Sequence, residues 1–452
     1  MTFIALYLSI TGFYGGQARR RADSSGLQLK TAFIIFQFSR HPAPGALPMR
    51  PTIVPLLLTL LPACTADNAA DTEGATTEAS ASAAATEPTT GDTTGEPADL
   101  NDRELGASAS ALCVSAMTHA AELTQAIASG DAAAASAAYV GTDLQTFVKG
   151  FKTEAERLDD PAIVASLTAA SPVELVAAEA RLHSALARHL RDQLADVEGG
   201  VEDKYAAWDE AHCVWTGALR SLAVAGDAVG WHTLDETIAA DVDAALQAGH
   251  DGLSGEPPAT ALDDWRVPPA KQIVEKSLFR AAHRVVIALA GDARDNADPI
   301  AARKALELFG VIKDRLDGRN TPGIAQIEAI LAGDPAAIDP DAILTELDIA
   351  FAKRTRAYSA IADEDLAVPA GYKSAVEGRT YALLVAPGLA ARVPATPIAA
   401  FLGEWGAYPD LVRAGDDLEA THALSDRLVD AICAYQTALG VADCSPDADE
   451  AQ

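Results

Sequence analysis

Positive charge is scarce in this chain: 34 Lys and Arg stand against 64 Asp and Glu, a formal net charge of −30 over 452 residues. A surface that acidic repels nucleic acid and anionic lipid, so no nucleic-acid partner is expected. Aromatic residues are also few, at 6%. With abundant alanine, this composition favours helix over strand. No G-x-S-x-G elbow, H-E-x-x-H, phosphate-binding loop or dinucleotide fingerprint occurs, so nucleophilic hydrolysis has no visible machinery. Cysteine is limited to five residues. None has the C-x-x-C spacing of a redox or zinc site.

Basic residues concentrate where the rest of the chain lacks them. Residues 1–63 hold six of the Lys and Arg and one acidic residue. Residues 1–48 carry apolar patches, Phe3 to Tyr14 and Ala32 to Phe38, too short for the ~20 residues of a membrane span. Met49-Arg50 is followed by P-T-I-V-P-L-L-L-T-L-L-P-A-C. A short basic start, an apolar stretch and L-P-A-C resemble a bacterial lipoprotein signal with its lipobox. Translation is therefore expected to begin at Met49, with 1–48 a gene-start artefact and 49–63 a signal peptide. The resemblance implies cleavage before Cys64 and lipid on its sulfur and new amino terminus. Thr65 follows, where an inner-membrane retention signal would have Asp. An outer-membrane lipoprotein is expected, facing the periplasm or the cell surface.

Residues 64–103 are almost entirely Thr, Ala, Glu, Ser, Asp, Gly and Pro and bury no core, so they read as a disordered tether. Such a chain reaches about 35 Å on average. From 104 to 445 helical periodicity takes over, and residues 446–452 form an acidic tail. The spacing predicts helices over 104–129, 131–158, 171–197, 202–225, 233–249, 269–290, 299–317, 321–332, 340–362, 371–392 and 416–439. Ser171-Pro172, Thr321-Pro322 and Asp339-Pro340 signal helix starts by a cap followed by proline. Residues 251–269 and 392–416 read as long loops, with Phe401 to Tyr408 apolar enough to pack down. No β-hairpin signal is visible. The fold class is all-α, as antiparallel helical bundles, with 104–250 and 268–445 as candidate related halves. A shift of 167 residues aligns Tyr205 with Tyr372, Glu210 with Glu377 and Glu179 with Glu346, and places Arg356 level with Glu377. Cys113, Cys213, Cys433 and Cys444 are disulfide candidates in an exported protein. Of three pairings, Cys433–Cys444 with Cys113–Cys213 is preferred, and free buried thiols are the alternative.

Charged residues inside apolar helices supply the candidate site. In Y-A-A-W-D-E-A-H-C-V-W-T-G-A-L-R (205–220), Asp209 and Glu210 are costly to bury unless paired. The preceding helix turns back near Gly200. A rise of ~1.5 Å per residue then sets Arg188, His189, Arg191 and Asp192 level with the two acids. Arg188 or Arg191 would make ion pairs there; His189 would instead join Asp209 and Glu210 around a cation. Glu377 opens a second apolar helix. His232, Asp235 and Glu236 share a helix face suited to metal ligands, or else cap the helix start. Lys276, Arg280 and Arg284 form a basic stripe expected to pair with acids, or to bind an anion.

W-D-E-A-H with W-T-G-A-L, V-E-K-S-L-F-R and V-E-G-R-T-Y-A-L-L-V-A-P together resemble the low-iron-inducible periplasmic protein family of iron-assimilating proteins. The resemblance implies an all-helical exported protein of iron assimilation, with Asp209, Glu210 and Glu377 as candidate iron ligands. G-W-H-T-L-D is similar to the G-x-H-x-x-E of imelysin-type proteins, although Asp235 stands where that motif has Glu and Glu236 comes one position late. The function expected is a lipid-anchored extracytoplasmic protein that binds or handles a metal cation, iron first, in iron assimilation. Oxygen and imidazole ligands suit iron or manganese. The alternative is a metal-free surface lipoprotein whose helices serve as a structural module or hold a protein partner at the cell surface.

Overall fold

A computed structural model describes residues 103–151, 158–229, 237–254 and 261–444. Cys64, the signal, the tether up to residue 102, His232, Asp235, Glu236 and the acidic tail lie outside the described residues. The described chain is all-α apart from one two-residue strand pair, with the helices sharing an extensive core. None of the described helices is long and apolar enough to cross a membrane.

The helices are α1 (Ala111–Ala128), α2 (Ala132–Tyr139), α3 (Asp143–Lys149), α4 (Asp159–Ala169), α5 (Pro172–Gly199), α6 (Lys204–Val214), α7 (Arg220–Ala228) and α8 (Ile238–Asp251). After the strands β1 (Leu253–Ser254) and β2 (Ala261–Leu262) come α9 (Val267–Asn296), α10 (Pro299–Phe309), α11 (Thr321–Leu331), α12 (Pro340–Ala357), α13 (Pro369–Arg392), α14 (Ile398–Ala414) and α15 (Leu418–Ala438). The expected long helix over 131–158 is interrupted in the described part at Gly141, whose φ of +78° a helix cannot contain. The segment read as a loop over 392–416 contains α14, because Phe401, Trp405, Tyr408 and Val412 bury one helical face. The antiparallel β1–β2 pair in 251–269 also had no recognised signal.

Helix α9 is the main organiser. It packs against α7, α8, α10 and α13, and α13 packs in turn against α12 and α14. Ser171 and Asp339 cap α5 and α12 through side-chain oxygens, as their cap-then-proline pattern predicts. Helix α5 ends at Gly200 (φ +91°), and α6 then packs back against it. Disulfides join Cys113 to Cys213 and Cys433 to Cys444, with Cα separations of 6.5 and 5.1 Å. This is the preferred pairing.

Candidate functional site

The two adjacent acids of α6 have separate environments. Tyr205, Trp208, Ala211 and Val214 bury the helix's apolar side, and Asp209 is buried with them. Both of its oxygens accept backbone hydrogen bonds, from Gly106 N at 2.9 Å and Ser108 N at 2.7 Å. His250 Nε2 lies 3.7 Å from Oδ1. Burial pushes the His250 imidazole below its ordinary pKa, against the opposing pull of Asp209 and Asp251. Asp209 therefore fastens the segment ahead of α1 to the domain. Ser110 caps α1 through Cys113 N at 3.1 Å, and the Cys113–Cys213 bond secures the next turn to α6. Beyond Val214 the helix widens into a π turn, Trp215–Leu219. There Gly217 meets α1 so closely that a Cβ would sit 2.3 Å from that of Met117.

Glu210 points to a different set of groups. Its Oε1 lies 3.0 Å from His189 Nε2, and its Oε2 accepts from Ser110 Oγ at 3.0 Å. The His189 ring stacks on Phe151, with centroids 4.3 Å apart, and meets Phe147 edge-on. These rings fix the imidazole plane toward the carboxylate. The hairpin register thus places His189 level with Glu210, as the turn at Gly200 predicts. The expected arginine pairing is not formed: Arg188 bonds Asp159, and Arg191 bonds Asp314 at 3.0 Å. Both arginines leave α5 at other angles, so sharing its height is insufficient to reach α6.

Glu377 belongs to another network. It pairs with Lys276 Nζ at 3.1 Å, and Lys276 also holds Glu275 at 2.9 Å. Arg356, level with Glu377 by the sequence alignment of the halves, is replaced in that role by Lys276 of α9. Burial alone would depress the Lys276 pKa, but Tyr381, Glu377 and Glu275 together raise it. Burial likewise opposes the charge on Glu275, yet Lys276 and Lys271 hold its carboxyl below the usual range. Farther along the basic stripe, Arg280 bonds Asp241 at 2.6 Å and Arg284 lies 3.9 Å from Asp227. The stripe is spent on acids, as a basic face in an acidic chain should be. Burial beside Arg280 lowers the Arg284 pKa to about 10.

Of the proposed ligands among the described residues, His189, Asp209, Glu210 and Glu377, only His189 and Glu210 are shown in mutual contact. Asp209 is committed to backbone donors and Glu377 to Lys276. Among the described residues, no group of three or more His, Cys, Asp or Glu side chains is placed to hold a metal ion. The chain matches no family model, no curated protein and no solved structure. The fold also contains a buried acid that the sequence reading passed over. Asp348 accepts from Tyr435 and lies 3.0 Å from His283 Nε2. Its signal was the same as that of Asp209, a carboxylate within the apolar run L-D-I-A-F.

Proposed function

We propose that this is an exported, lipid-anchored helical protein that handles a metal cation, iron in the first instance, as cargo. The observation that carries the reading is the His189–Glu210 pair, 3.0 Å apart at the partly exposed junction of α5, α6 and the start of α1. An imidazole and a carboxylate are suitable donors for iron or manganese. Ser110 adds a neighbouring hydroxyl. Two strong donors suit transient handling, with water or a chelator completing the coordination, better than permanent storage. The lipid anchor on Cys64 would keep such a carrier at the outer membrane.

The experiment is metal analysis of the purified mature protein after loading with ferrous iron. About one iron per chain is expected, with at least about a tenfold loss of affinity, ~1.4 kcal/mol, in His189→Ala and Glu210→Gln. Metal-free protein after loading would sink this reading. That result would favour a second one, a structural or protein-binding helical module. The second reading draws support from the engagement of Asp209 and Glu377 with the protein itself.

A further inference from the structure

Glu198, at the last turn of α5, has its two carboxylate oxygens in unlike situations. Oε2 accepts from Lys271 Nζ at 2.6 Å. Oε1 is buried and makes no hydrogen bond among the described residues. Lys373 Nζ is 3.8 Å from it, beyond hydrogen-bond reach. A buried carboxylate oxygen without a donor is costly.

This carboxylate lines a cleft of about 500 Å³, within the size range of small-molecule sites. One wall is the run from Leu262 through Asp264 to Pro268 and the other is Val368 to Lys373. The walls are joined where the rings of Trp265 and Tyr372 lie 5.9 Å apart and the Arg413 guanidinium lies 5.4 and 5.2 Å from their centroids. Two prolines stiffen the apolar surface. The cleft thus sets apolar sides beside three charged groups, a combination that ligand sites use to fix orientation. Its lining charges are of both signs: Glu198 and Asp264 against Lys373, with Lys271 behind Glu198.

We propose that this cleft binds a small zwitterion of amino-acid type with an apolar side chain. As Lys373 turns from Glu198 Oε1 to the ligand carboxylate, the ligand ammonium would take its place beside that oxygen and face Asp264. Its carboxylate would take Lys373, and its side chain would lie against Pro268 and Pro369. A zwitterion leaves the balance of charge in the cleft unchanged, whereas an amine or an acid alone satisfies one sign and faces the other unpaired. The cleft does not use His189 or Glu210, so this site stands or falls separately from cation handling.

Calorimetric titration of the full mature protein with L-leucine tests it. Saturable binding with Kd on the order of 1 mM is expected for a ligand of this size. The single-charge analogues 3-methylbutylamine and 4-methylpentanoate should bind at least about tenfold more weakly. Asp264→Asn and Lys373→Met should each weaken leucine at least about tenfold, and Ala370→Trp, which fills the cleft from an exposed position, should abolish binding. Melting temperatures like that of the parent would show that the variants remain folded. Absence of saturable leucine binding to the parent overturns the site, as does undiminished binding to both Ala370→Trp and Asp264→Asn. Equal binding of 3-methylbutylamine overturns the zwitterion assignment.

Discussion

The α6 acids and the Glu275–Lys276–Glu377 group solve the burial of carboxylate charge with different partners. At α6, Asp209 is held by two backbone N–H groups and faces His250, while Glu210 contacts His189 and Ser110. Between α9 and α13, a lysine sits between two glutamates. Lysine stays charged across ordinary pH and offers three donors. Histidine changes charge near neutrality and also ligates metals. The lysine-centred group is thus suited to fixing the fold. The α6 group is suited to responding, to protons or to a cation, because its contacts include groups that titrate and a segment ahead of α1 that both acids hold.

The sharpest way to break this comparison is to remove the central cation. Lys276→Met would leave Glu377 buried without its counter-charge and Glu275 with Lys271 alone, 3.9 Å away, and should destabilise by about 3–5 kcal/mol. Denaturant unfolding would measure it, and adding Glu377→Gln should recover part of the loss. An unchanged midpoint would mean that the pair is not structural.

A smaller effect is expected at α6. Asp209→Ala removes the acceptor for Gly106 and Ser108, hydrogen bonds to a charged group that contribute about 1.5–3 kcal/mol each, but both donors are only partly buried, so water replaces part of the loss. The loss should be local: amide exchange should accelerate at Gly106 and Ser108 while the α9–α13 contact keeps its protection. Global unfolding without that local signature would contradict the fastening role.

The pH response should be the mildest and should separate the regions. Burial lowers the pKa of His212 and of His250, despite nearby acids including Asp209. A folded-state pKa below the unfolded value means that the unfolded chain binds the proton first as pH falls. Their stabilising contribution is thus fully present above about pH 6.5 and is lost progressively below it, by at most about 1.4 kcal/mol per pH unit for each histidine. The lowered Glu275 pKa instead begins to matter only as pH falls through the ordinary carboxylate range and below. Between pH 7 and 5, exchange corrected for its intrinsic rate should therefore rise at residues 103–110 before it rises at α9. Simultaneous loosening would remove the distinction.

Much of the helical scaffold was legible because it depends on local rules. The periodicity of α5, α9, α12 and α13 and the capping oxygens of Ser171 and Asp339 were visible in the residues themselves. The cysteine pairing was also readable, from their number and from the short distance between Cys433 and Cys444 along the chain. Hairpin height put His189 level with Glu210, but put Arg188, Arg191 and Asp192 there too, and did not choose among them. Helix α14 was obscured by Pro409 and by glycines that weaken its local propensity; burial of Trp405 and Tyr408 outweighs them. The cleft was not legible, since Glu198, Asp264 and Lys373 come from three separate elements and form no motif.

For the stretch around Asp209 and Glu210, the sequence by itself determined that two acids would enter an apolar helix and that His189 would stand at their height. Helical rise and periodicity are enough for that. Tertiary structure decided that Asp209 turns to the backbone of Gly106 and Ser108, that Arg188 and Arg191 reach other acids, and that Lys276 takes Glu377. Those choices depend on side-chain direction and on which distant helix arrives within about 3 Å, and no local pattern encodes either.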